Sequence, residues 1–158
     1  MDWAGWATFG FGATVALTTV MVAAQLAGMS RMDLPLILGT MFVEDPDRAR
    51  VVGFIVHLVN GQVFGVFYVS AFALLGRATW WLGALFGAFH GLVALTVIVP
   101  LVPGIHPRMS SERGGPELDS VLEPPGLFAL NYGRETPAIA LVAHVIYGAS
   151  LGIFLSPT

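Results

Sequence analysis

His57-Leu58-Val59-Asn60-Gly61-Gln62-Val63-Phe64-Gly65-Val66-Phe67 returns further along the chain as His144-Val145-Ile146-Tyr147-Gly148-Ala149-Ser150-Leu151-Gly152-Ile153-Phe154. The offset from 57 to 144 is a constant 87, and the histidine, both glycines and the last phenylalanine recur in place. On a helix, positions i, i+4 and i+8 share nearly one face, so each histidine lies on a stripe with two glycines. In lipid, a stripe of small residues is the face on which another helix packs closely. Both histidines are therefore expected to face protein rather than lipid.

The two stretches fall in two of four apolar runs, at about 3–28, 51–76, 80–103 and 137–155, none of which contains Asp, Glu, Lys or Arg. About 20 such residues cross a hydrocarbon core of about 30 Å. Only 11% of the chain is charged, against about 25% in a soluble domain, and the mean hydropathy is +0.78. These values point to an all-α integral membrane protein, a four-helix bundle. Its 158 residues make one membrane domain with loops at about 29–50 and 104–136. The first run has no basic leader and is too long for a secretory signal, so it is expected to belong to the fold. With no cysteine, thiolate metal sites, iron–sulfur clusters and disulfides are excluded.

The likeness between the halves extends past the histidines. Val15-Ala16-Leu17-Thr18 matches Val93-Ala94-Leu95-Thr96, and Arg31-Met32 matches Arg108-Met109. The chain thus reads as a duplicated helix–loop–helix unit with a pseudo-twofold axis along the membrane normal. Chance similarity between apolar segments is the alternative. Further small-residue stripes, Gly83/Gly87/Gly91 and Gly12/Ala16, give every span a surface for close packing. Pro100, Pro103 and Pro107 should end the third span. The stretches Leu34–Leu38 and Gly126–Leu130 are too short to span and are expected to lie at the interface or cap the mouth of the bundle.

All seven basic residues are arginine, read as codon usage of a high-GC bacterium. Arg31, Arg48 and Arg50 lie in one long loop and Arg108, Arg113 and Arg134 in the other. Arginine excess marks the cytoplasmic side, which puts both long loops in the cytoplasm and both termini outside a bacterial plasma membrane. Met32–Thr40, with His106-Pro107-Arg108-Met109 and Leu130-Asn131-Tyr132-Gly133-Arg134, resembles an uncharacterised family of small four-span bacterial membrane proteins. The likeness covers most of the chain and implies no activity, cofactor or site.

The candidate chemistry lies with His57, His90 and His144, since an ionisable residue inside a membrane marks a functional site by default. Counting about 1.5 Å per residue from the loop ends of the spans, His57 and His144 lie at similar depth. The same count sets His90 about 8 Å deeper. His57 and His144, flanked by Gly61 and Gly148, could hold a haem iron from both sides. In that reading Phe54, Phe64, Phe86 and Phe89 line the pocket and Arg50 and Arg134 meet the propionates. The other reading is a transition metal held by His57, His144 and His90. Either would serve a redox role.

The contrasting class is an accessory or structural subunit whose histidines bond only to neighbours such as Asn60, Gln62 or Tyr147. A transporter of a neutral or lipid-like solute is the third. His106 and the loop carboxylates Asp33, Glu44, Asp45, Asp47, Glu117, Asp119, Glu123 and Glu135 lack diagnostic spacing and read as a solvated polar head. No phosphate loop, nucleophile elbow, zinc-protease motif or dinucleotide fingerprint occurs, so whether the chain is an enzyme stays open. A net charge of −3 without a basic tract argues against nucleic acid. The expected partners are the lipid bilayer and either a second copy or a larger membrane complex.

Overall fold

Three of the four long helices start at a capping side chain. In the computed structural model, which describes residues 1–110 and 122–157, Asp2 accepts the Gly5 N–H at 2.8 Å and begins α1, Trp3–Leu26. Asp33 does the same for the Leu36 N–H at 3.0 Å and begins the short α2, Leu34–Gly39. Asp45 caps α3, Pro46–Leu75, whose first position is a proline already set to helical φ. That cap starts α3 one turn before the apolar run at 51. Gly76, at φ 62°, ends it in the left-handed conformation that glycine tolerates best.

Thr79 caps α4, Trp80–Val93, and the rod continues through a π-helical stretch, Ala94–Ile98, into α5, Val99–Ile105. Pro100 has no N–H for the Thr96 carbonyl, and its ring crowds that carbonyl. The widened turn relieves the crowding, and Val99 N–H reaches the Ala94 carbonyl five residues back. The third span thus runs past Pro103 to Ile105. A 3-10 turn, Leu127–Tyr132, then leads to α6, Thr136–Phe154. Arg113, Gly114-Gly115-Pro116, Glu117 and Asp119 lie outside the described residues.

Four helices, Trp3–Leu26, Pro46–Leu75, Trp80–Ile105 and Thr136–Phe154, are long and apolar enough to cross a membrane. Large apolar side chains such as Leu85, Phe89 and Val59 stand exposed along them, a surface compatible with lipid contact. α6 is the hub, packed on α4 and α1, while α3 packs on α1 and carries α2 at the end where the long loops lie.

The α4–α6 contact is backbone on backbone. A Cβ on Gly83 would run into the Gly148 carbonyl, one on Gly148 into the Gly83 carbonyl, and one on Gly87 into the His144 carbonyl. On α3, Gly61 receives Thr14 of α1, and Gly65 receives the indole of Trp6. The expected Gly12/Ala16 stripe is not a packing face. Gly12 is exposed with nothing near it, and α1 buries Gly10, Ala13, Thr14 and Leu17 instead. Positions 10 and 12 point about 200° apart on a helix, so the two faces exclude one another.

Between α3 and α4 the contact is made by rings. Phe72 stacks on Phe86 at 5.7 Å, and Tyr68 meets Phe86 edge-on at 6.2 Å. This leaves room between the helices further toward the loops.

Candidate functional site

That room is a cavity of about 150 Å³ lined by α1, α3, α6 and the α4–π rod. Leu34, Ile37 and Leu38 of α2 cover its loop end together with Val99, Val102 and Pro125. The wall is aliphatic except for Phe64 and a few polar groups: His57, His90, His144, Asn60, Thr14 and Tyr147. An apolar pocket with a few convergent polar groups is the usual form of a small-molecule or ion site.

His144 lies four residues after Ala140 on α6, and its Nδ1 is 2.7 Å from the Ala140 carbonyl oxygen. A carbonyl only accepts, so Nδ1 carries the proton and Nε2 a lone pair. On α1, the Thr18 hydroxyl donates its single hydrogen to the Thr14 carbonyl at 2.8 Å. Thr18 Oγ1 therefore accepts from His57 Nδ1, 3.0 Å away, and His57 has the same tautomer with Nε2 bare. Among the described residues, neither Nε2 has a hydrogen-bond partner.

His90 Nδ1 lies 3.3 Å from the Tyr68 hydroxyl. Its ring leans on Phe64 at 4.3 Å and meets His144 edge-on at 4.8 Å. The depth count that set His90 apart does not hold. Gly87 and Gly91 fix the α4 register against His144, and the α4–α5 rod overhangs the start of α6, so the loop ends are not level. Among the described residues, no three His, Asp or Glu side chains are grouped closely enough to hold a metal ion on their own.

No family profile, curated protein or solved structure matches this chain. The site has to be read from its own geometry.

Several expected neighbours are elsewhere. Asn60 lines the cavity, but Thr18, Tyr68 and the Ala140 carbonyl hold the imidazoles. Gln62 bonds the Ala7 carbonyl on α1, and the Tyr147 hydroxyl donates to the Gly61 carbonyl at 2.6 Å, tying α6 to α3. Of the four phenylalanines, Phe64 alone lines the cavity; Phe86 stacks on Phe72, Phe89 is exposed, and Phe54 borders an outer groove. Arg50 is engaged by Asp33 at 2.8 Å and by Asp47 at 3.2 Å.

Among the described residues, the loop carboxylates do not assemble a site. Asp33 and Asp45 cap helices, Glu44 pairs with Arg108 at 2.9 Å, and Glu123 pairs with Arg31 at 3.1 Å. His106 is buried away from the three cavity histidines. Its Nε2 donates to the Ile37 carbonyl at 2.9 Å with Thr40 Oγ1 at 3.3 Å, and its Nδ1 accepts the Arg108 N–H at 3.1 Å. Burial holds its pKa below the ordinary histidine value.

Proposed function

We propose that the four long helices span a bacterial plasma membrane and that the cavity binds a transition-metal ion through Nε2 of His57 and His144. His90 is the adjacent third imidazole. The observation that carries this reading is the shared tautomer. Metal-binding histidines almost always donate their other ring N–H to a protein oxygen, which fixes the ring and leaves a lone pair for the metal. Two imidazoles in an aliphatic cavity suit zinc, copper, iron or nickel. The three histidines are not grouped closely enough to hold an ion on their own, so the remaining coordination would fall to small exogenous ligands, and with copper or iron the ion would serve a redox role. A haem between the same two histidines needs more room than about 150 Å³, the size of a cavity that takes benzene. A single ion is therefore the better fit.

Purified protein from metal-supplemented cells is expected to carry about one metal per chain by elemental analysis. His57→Ala and His144→Ala should each lose it. Thr18→Val, which removes the acceptor for His57 Nδ1–H, should weaken binding about 10- to 100-fold, while Thr18→Ser retains it. Metal-free, colourless wild-type protein would favour the accessory-subunit class instead.

The loops carrying Arg31, Arg48, Arg50 and Arg134 are placed in the cytoplasm by the arginine rule. Labelling of a Ser110→Cys variant only from outside would reverse that. The duplication reading rests on the sequence repeat: in each half the glycine four residues after the histidine packs on the preceding span, but the partners Thr14 and Gly83 are not equivalent positions, since Thr14 aligns with Leu92. Failure of α1/α3 to superpose on α4/α6 would end it.

A further inference from the structure

We propose that α5 is a hinged gate over the loop end of the histidine cavity, with the π stretch Ala94–Ile98 as its hinge and His106 as its latch to α2. The proposal rests on the cavity being a site that a guest enters, and not on which guest.

Three features set α5 apart. It has no buried residue, yet Val99 and Val102 close the cavity. It joins the bundle through a π turn that itself lines the cavity at Ala94, Leu95 and Ile98. Such turns break the regular ladder, and π stretches often mark functional positions. Pro100 and Pro103 each remove a backbone donor within α5 itself. The segment is thus weakly tied to its own helix.

Its far end, in contrast, is tightly held. His106, 4% exposed, bonds the Ile37 carbonyl of α2, and the Arg108 guanidinium reaches the Thr40 carbonyl and Glu44. α2 cannot follow α5 outward. A Cβ on Gly39 would strike the Ala49 carbonyl and one on Gly53 the Pro35 carbonyl, so α2 rides flush on α3. Opening therefore separates α5 from α2 and breaks the His106 bonds. Among the described residues, the charged groups facing His106 are Arg108 on its own loop and, through Arg108, Glu44 beyond α2; α2 itself carries none, and Asp33 at its start is taken by Arg50. Protonating Nδ1 removes the acceptor for the Arg108 N–H and adds a charge beside a guanidinium, so acid should release the latch.

The chain has no cysteine, so a single Val102→Cys variant reports cavity access without further changes. In nanodiscs, maleimide labelling of Val102→Cys should quicken about tenfold when His106→Ala is added, the change expected from losing hydrogen bonds of this kind. Exposed Ile105→Cys serves as the reference for thiol reactivity. His106→Gln, which keeps bulk and polarity, provides a second latch variant if His106→Ala folds poorly. Lowering pH from about 7.5 to about 5.5, across the histidine range, should also speed labelling relative to the reference, and only when His106 is present. Unchanged labelling in both latch variants overturns the gate. So does an acid response that persists in His106→Gln, because the cavity histidines would then drive it. Labelling is read with and without added copper or zinc, so a protein that binds neither still tests the gate.

Discussion

The seam between α4 and α6 and the seam between α3 and α4 are built on opposite principles. In the first, glycines on both helices let the backbones touch, and nothing larger than a hydrogen fits between Gly83 and Gly148. In the second, Phe72, Phe86, Tyr68 and Phe64 hold the helices apart. A bundle closed by glycine on every side would be solid. One closed by rings on one side keeps a void, and the three histidines line that void. Rigidity and vacancy are thus divided between neighbouring faces of the same α4 rod.

Breaking the glycine seam should have the largest effect. Gly148→Leu places a side chain into the Gly83 carbonyl and Gly87, backbone that cannot move aside. Overpacking costs about 1–3 kcal/mol when neighbours can yield, and more when they cannot. Loss of the folded species in SDS titration is expected, and a wild-type unfolding curve would contradict the seam.

The ring-propped side should yield more gradually, and acid should find it first. Burial keeps the folded pKa of His106 below its ordinary value near 6.5, so the unfolded chain binds the proton more readily than the folded one. The latch's contribution is then complete above about pH 6.5 and fades as pH falls below it. A His106→Gln variant should show a flatter stability–pH profile over that range.

Smaller still is the crossbar between the two sides. Tyr147→Phe deletes the hydrogen bond to the Gly61 carbonyl, a loss of about 0.6 kcal/mol on average for such bonds in membranes. A change above about 2 kcal/mol would mean that Tyr147 does more than span α6 to α3. Gly12→Ala, on the open face of α1, should leave stability within about 0.5 kcal/mol. It is the control that separates packing glycines from idle ones.

The architecture was legible because its signals are long. Four runs without a charge identify the helices, and Gly61, Gly148 and Gly83 were recognisable as contact residues from their spacing. Gly12 had the same spacing and no such role, since a glycine pair does not say which of two faces the bundle uses. Within the site, the three histidines could be named but their partners could not. Thr14 and Thr18 looked like ordinary span residues, although hydroxyls at i and i+4 in an apolar helix are a usable signal. His90 was set too deep because depth was counted from loop ends that are not level. The π turn at Ala94–Ile98 left no mark in the hydropathy at all.

That turn also sets the rotational phase of everything after it. A π turn has the content of one residue inserted into an α-helix, and each helical residue advances the side-chain direction by about 100°. Deleting one residue between Ala94 and Ile98 should let the rod close into a continuous α-helix. Val99 and Val102 would then swing away from the cavity by that angle, while Gly83, Gly87 and Gly91 kept their seat on α6. The extra residue acts as an indexing tooth: it allows one helix to present its glycine face to α6 above and its valine face to the histidines below.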